Sequence, residues 1–215
     1  MHFLTARALF ACSVILSAAL ALAPSAAAQE RQKRTEAPTF TEALDQARAA
    51  VAESRLGGAI SALQAAIRDL QKQQRTAILA ALPTPEGFAF KDPAVKEIDE
   101  QLAAGVAAVG LNVRRRYRHE DGRTFEVEVT ANSPVLKMMS MVFSNPAMVQ
   151  AQGGELVKYG DHKAILKEQG ERVELQLMMH EEHLLKVEAQ GLTGDQLLAI
   201  FDQAFVDRLE KPLGR

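Results

Sequence analysis

The chain nearly lacks cysteine. Cys12 is the only one in 215 residues, and it sits inside an N-terminal apolar run. Without that run the protein has no disulfide framework, no thiol nucleophile and no Cys-ligated zinc or iron–sulfur centre. An excess of one charge is also missing: 25 basic residues against 27 acidic ones give a formal net charge of −2. Neither nucleic acid nor an anionic membrane is favoured as a bulk partner at that balance.

Catalytic signatures are absent too. There is no G-x-S-x-G, no H-E-x-x-H, no Walker loop and no G-x-G-x-x-G, and GVAAVG at 105–110 lacks the Lys-Ser/Thr that would cradle a phosphate. Acidic residues alternate with lysine and arginine, the pattern of a solvated face. No nucleophile, base and orienter can be assembled, so the expectation is a non-enzymatic protein with no cofactor.

What is present begins with Arg7, an apolar run from Ala8 to Ala23, Pro24, and small residues at Ala26 and Ala28. This is the order of a cleaved secretory signal peptide. The run is shorter than the roughly 20 residues that span a bilayer. Cleavage between Ala28 and Gln29 is expected, giving a periplasmic or secreted protein without a transmembrane segment. Residues 29–38 have no apolar periodicity and read as a flexible leader.

The hairpin at 39–82 follows. Thr39 and Glu42 fit a capping box, with Phe40, Leu44, Ala47 and Val51 as a buried stripe and Gly57-Gly58 as the stop. Ile60, Leu63, Ile67, Leu70, Ala77 and Ala81 mark a second amphipathic helix ending at Leu82-Pro83. With alanines at the contact, the pair resembles a single tetratricopeptide-type unit. No second copy follows, so it reads as a helical hairpin docked on the rest of the chain. A Pro-rich connection at 83–92 leads to Asp92-Pro93, which opens a third helix carrying Val95, Ile98 and Leu102.

After Gly110 the period becomes two. A turn at Glu120-Asp121-Gly122, with Gly122 left-handed, sets Tyr117 opposite Phe125, Arg116 opposite Glu126 and Arg114 opposite Glu128. The basic run RRRYR therefore faces glutamates and is no nucleic-acid patch. Arg115 is the exception, since it points to the apolar face; it either pairs with an acid or snorkels at a sheet edge, and snorkelling is expected. Four more strands between Glu155 and Gln190 turn at Gly160-Asp161, Gln169-Gly170 and HEEH at 180–183. A capping box at Thr193 and Gln196 opens one last helix, with Leu197, Ile200, Phe201, Ala204 and Phe205 inward and Pro212 behind its end.

Two clusters offer soft ligands. In SPVLKMMSMVFSNPAMVQ at 133–150 a helix started by Ser133-Pro134 carries Met138, Met139 and Met141, and Ser144-Asn145-Pro146 breaks it. Met139 and Met141 lie about 160° apart on a helical wheel, so only Met138 and Met141 could share a Cu(I) ion. Lys137, Ser140 and Ser144 form a narrow polar stripe, and the helix reads as a largely buried plug on the sheet. In MMHEEH, His180 and His183 are candidate ligands at a strand tip, with Glu182 or Met178; an exposed turn with His183 in the left-handed position is the simpler reading. His119 and His162 sit beside turns and read as solvated.

The segments LPTPEGF (82–88), TANSP (130–134) and SPVLKMMSMVFSNPAM (133–148) resemble an uncharacterised family of exported bacterial proteins, over a span from Leu82 to the C-terminal helix. The resemblance implies an envelope protein and carries no activity. The expected architecture is α+β: a helical hairpin, a Pro-rich connection, and at 93–215 an antiparallel sheet of about six strands packed on one face by the methionine-rich and C-terminal helices. The expected role is an accessory module engaging a protein partner, homodimerisation included. The alternative is a small carrier of Cu(I) or an apolar ligand.

Overall fold

A capping box opens the first helix as its residues require. In the computed structural model the Thr39 amide donates to Glu42 Oε2 at 3.0 Å and the Glu42 amide donates to Thr39 Oγ1 at 3.4 Å. The structure describes residues 38–93, 110–143 and 145–214, without the side chains of Met138, Met141 and Val142. The expected signal peptide, leader and third helix fall outside these residues. Helix α1 spans Phe40–Ala52, turns at Ser54 and is followed at once by α2, Leu56–Ala81, which takes Gly57-Gly58 into its first turn instead of stopping there.

The hairpin closes on alanine. Ala43, Ala47 and Ala50 of α1 meet the side of α2 that buries Ala59, Ala62 and Ala66. This corrects the expected stripes. Of Phe40, Leu44, Ala47 and Val51 only Ala47 is buried, and Ile60, Leu63, Ile67 and Leu70 all face outward. Small side chains let two helix axes approach closely, and the bulky stripe is left on the other side of α2.

Within the Pro-rich stretch, Phe88–Lys91 forms an edge strand, β1. The remaining strands are β2 (Leu111–His119), β3 (Thr124–Ala131), β4 (Gly154–Tyr159), β5 (His162–Gln169), β6 (Arg172–Met179) and β7 (His183–Gln190). Between β3 and β4 lie α3 (Leu136–Phe143) and α4 (Pro146–Ala151); α5 (Gly194–Ile200) and α6 (Gln203–Leu213) close the chain. The sheet is antiparallel throughout, in the order β1-β2-β3-β7-β6-β5-β4. It has seven strands, one more than expected, because the prolines at 83 and 85 leave 88–91 extended and free to donate to β2.

The first hairpin has the expected register: Tyr117 faces Phe125, Arg116 faces Glu126 and Arg114 faces Glu128, with Gly122 at φ +96°. The last is displaced by two residues from the three-residue loop 181–183, with Met179 opposite Leu185, that a left-handed His183 implies. Met179 pairs with His183, and the left-handed positions fall on His180 and Glu181 rather than on His183. A shift of two preserves which residues point inward.

Alternation then makes two cores. Val113, Tyr117, Phe125, Val127, Leu175, Leu177, Met179 and Leu185 pack with Ile78 of α2, Leu197 and Phe201 of the α5 region, and Phe205 and Leu209 of α6. On the opposite face Ile165 and Met178 meet Leu136 and Phe143 of α3 and Val149 of α4. The methionine-rich and C-terminal helices therefore cover opposite faces, not one, because Ile165, Met178 and Leu184 give the outer face an apolar patch of its own. Helix α3 is less of a plug than expected: it buries Leu136 and Phe143, but Met139 on it and Met148 on α4 are substantially exposed. The expected single C-terminal helix is two, since Asp202 caps α6 by accepting from the Phe205 amide at 2.7 Å; Ala204 is outward and Pro212 lies in the last turn. Among the described residues no helix is long and apolar enough to cross a membrane.

The alanine contact sets a stability contrast. Ala62→Leu overpacks the hairpin and is expected to cost about 1–3 kcal/mol. Ile67→Gln on the outer stripe should stay within about 0.5 kcal/mol. Urea unfolding at low protein concentration measures both, and equal losses would refute this packing.

Candidate functional site

Alternate turns of an up-and-down meander lie at the same end of the sheet. The turns β4–β5 and β6–β7 are such a pair, and they carry His162 and His180 on neighbouring strands. Glu210, one turn beyond Val206 on α6, reaches both. His162 Nε2 lies 2.7 Å and His180 Nε2 lies 2.8 Å from the same oxygen, Glu210 Oε1. The two rings meet edge to face at 5.0 Å. All three residues are partly buried, and their three potential ligand atoms lie within 4.8 Å of one another. Burial alone would push the Glu210 carboxyl up, but the hydrogen bonds from His180 and His162 outweigh it and hold the pKa below the usual value.

Of the residues marked by sequence, His180 belongs to this trio and His183 does not. His183 is buried on β7, where Nδ1 accepts the Asn132 amide at 3.2 Å. Desolvation lowers its pKa; Glu182 opposes that shift and His180 adds to it. Met178 is buried in the outer cluster, and the side chains of Met138 and Met141 are outside the description. His162 was missed because it reads as a solvated turn residue, yet only 11 % of its side chain is exposed. The meander's turn spacing was the signal: strands of equal length return residues 162 and 180 to one end.

Beside Tyr159, whose register partner is His162, the hydroxyl is buried with no hydrogen-bond partner among the described residues. Burial and nearby Asp202 push its pKa up to about 12.

Arg115 does not snorkel. Its side chain is 8 % exposed and forms a two-pronged pair with Asp92, Nε to Oδ1 at 2.5 Å and Nη2 to Oδ2 at 3.0 Å, with Phe90 beneath at 4.3 Å. Desolvation opposes its charge, but the bonds to Asp92 and Tyr117 raise its pKa overall. Arg75 is buried in the same region and donates to the Asn112 carbonyl at 3.3 Å; burial lowers its pKa while Asp92 acts the other way. An acid available in the Pro-rich segment thus makes pairing cheaper than exposure.

On α2 the outward stripe is Leu56, Ile60, Leu63, Ile67 and Leu70, each between 45 % and 65 % exposed. The steps of four and three assign isoleucine to every a position and leucine to every d position. The flanking e and g positions are Gly57, Gln64, Gln71, Ala59, Ala66 and Gln73, so they carry no charge. The stripe ends at Gln74, which donates to the Pro212 carbonyl at 3.1 Å and accepts from Asn132 Nδ2 at 3.2 Å.

Comparison with known proteins finds no matching family model, no matching curated protein and no matching solved structure.

Removing one partner of the Arg115 pair is asymmetric in cost. Asp92→Asn strands a buried guanidinium and is expected to lose about 3 kcal/mol. Arg115→Met leaves an acid that is 36 % exposed and should cost clearly less. Chemical denaturation of both variants decides it, and the reverse order would discard the account.

For His183 the folded pKa is lowered, so the unfolded chain takes up the proton first. Its contribution to stability is present above the ordinary value near 6.5 and is lost as pH falls through that value towards the folded one. The difference in unfolding free energy between wild type and His183→Gln should shrink below pH 6.5 by no more than about 1.4 kcal/mol per pH unit. A difference independent of pH would contradict a neutral, buried imidazole.

Proposed function

We propose that this protein is an exported, non-enzymatic accessory module that works as a homodimer, paired through the outward stripe of α2. The observation that carries the reading is the stripe itself: five leucines and isoleucines in heptad spacing, exposed on a helix whose other side is already satisfied by α1. Isoleucine at a with leucine at d is the combination that favours two-stranded pairing. A second copy suits it as occupant because the flank away from α1, formed by Gly57, Gln64 and Gln71, brings no like-charge repulsion between identical helices and no charge code for a different partner.

Size points the same way. Five aliphatic side chains at about half exposure leave a strip on the order of 400 Å2, the scale at which an apolar patch on a monomer is commonly functional. Two such strips with their flanks bury on the order of 1,200 Å2, the lower bound for a specific interface. Folding has already ordered the helix, so association does not repeat that entropic cost. The N-terminal apolar run, with its small-residue cleavage site, supports export.

Sedimentation velocity tests the pairing. The wild-type protein is expected to sediment as a dimer at micromolar concentration. Ile60→Glu combined with Ile67→Glu should sediment as a monomer with an unchanged thermal midpoint when dilute. A wild type that stays monomeric at about 100 μM, or a double variant that still dimerises, would overturn the assignment.

A further inference from the structure

The trio at the end of the meander has a use that hairpin pairing does not touch. We propose that His162 Nε2, His180 Nε2 and a Glu210 carboxylate oxygen form a binding site for a borderline divalent transition-metal ion such as Zn2+ or Cu2+, with water completing the coordination.

Donor chemistry sets the class of ion. Two imidazoles and a carboxylate suit borderline dications, whereas Cu(I) is selected by the thiolate or thioether sulfur that this site lacks. Hard ions such as Mg2+ and Ca2+ prefer all-oxygen shells. The site therefore differs in both residues and metal from the Cu(I) pairings expected of the methionine-rich helix.

Geometry sets the feasibility. Zinc bonds to nitrogen and oxygen of about 2.1 Å in a tetrahedron place neighbouring ligand atoms about 3.4 Å apart. The two N···O separations, 2.7 and 2.8 Å, are those of hydrogen bonds. Admitting an ion asks each edge to open by roughly 0.6 Å, a movement that small side-chain rotations can supply. The hydrogen bonds have already gathered the three donors from two turns and a helix, so binding requires each imidazole to free Nε2, with its proton carried on Nδ1 or released to water, and does not have to order distant chain segments.

Access and competition are also favourable. About a quarter of the His180 and Glu210 side chains is exposed, which leaves an approach for the ion and its waters. Among the described residues the ion-pair partners of Glu210 are the two imidazoles alone, so no lysine or arginine neutralises the carboxylate in the ion's place. The Tyr159 hydroxyl, buried and without a hydrogen-bond partner among the described residues, belongs to the residue paired with His162 across β4 and β5.

A hydrogen-bonded clamp fastening α6 to two turns would show the same contacts, and titration separates the two. Protein stripped of metal with chelator is titrated with Zn2+, and separately with Cu2+, by calorimetry. The expected result is saturable uptake of one ion per chain at micromolar or tighter affinity, unaffected by millimolar Mg2+. His162→Ala and Glu210→Gln should each weaken uptake at least about tenfold. Glu210→Gln keeps an acceptor for both imidazoles, so it preserves the clamp while removing the anionic ligand, and its circular dichroism should match wild type. His119→Gln, at the end of β2, should bind as wild type does. Absence of saturable uptake by the wild type, or equal affinity in wild type, His162→Ala and Glu210→Gln, would overturn the proposal.

Discussion

The pairing of β3 with β7 is the constraint on which the rest of the structure depends. It joins two pieces of antiparallel sheet that are each locally specified, the hairpin of β2 and β3 and the meander from β4 to β7. At its middle Val127 faces Val187, with Val129 opposite Leu185 and Phe125 opposite Ala189. These residues are wholly or almost wholly buried, so the ladder and the main core are one feature. Because β7 and not β4 joins β3, the chain must cross to the far edge of the sheet, and α3 and α4 occupy that crossing. The outer patch of Ile165, Met178 and Leu184 lies where those helices can cover it.

Packing geometry, rather than hydrophobicity, decided which face of each hairpin helix is buried. A 3.6-residue period says that α2 has an apolar side, but α2 has two: one of alanines and one of leucines and isoleucines. A hairpin with a short turn holds its helices close, and only the alanine sides of α1 and α2 allow that approach. The larger side chains are left facing water at a real cost in free energy. A feature that opposes stability in the isolated chain is a better pointer to association than any feature that supports it.

Legibility in the sequence followed the strength of local punctuation. Gly122 in Glu-Asp-Gly can take a left-handed conformation without strain, which pins the first hairpin's register to the residue. MMHEEH contains no glycine or asparagine, so its turn could be placed two residues away with every inward side chain unchanged, and it was. Arg115 was recognised as anomalous because its position in the alternation is plain. Its partner was not, because Asp92 belongs to a separate strand-forming segment whose approach is tertiary. The same reason hid the trio: His162, His180 and Glu210 are 18 and 30 residues apart in turn, and only the meander and the packing of α6 bring them together. The edge strand β1 was obscured by the surrounding prolines, which exclude helix but leave four consecutive residues able to pair.

Helix α6 is the element that the two proposed sites hold in common. Its last turns carry Glu210, tied to His162 and His180, and the Pro212 carbonyl, which accepts from Gln74 at the end of the α2 stripe. Gln74 in turn accepts from Asn132, whose amide donates to His183 beyond the same turn that holds His180. The path from the histidine trio to Gln74 of α2 therefore runs along the α6 backbone from Glu210 to Pro212 and through one part-buried hydrogen bond, which is worth more than it would be in water. Such a path can carry energetic coupling only to the extent that an ion at Glu210 and a partner at α2 favour different positions of α6. A well-packed helix with Phe205, Val206 and Leu209 fully buried has little freedom to take a second position. The core that places Glu210 accurately for both histidines is thus the same core that limits the two sites to acting independently, each as a fixed feature of a rigid frame.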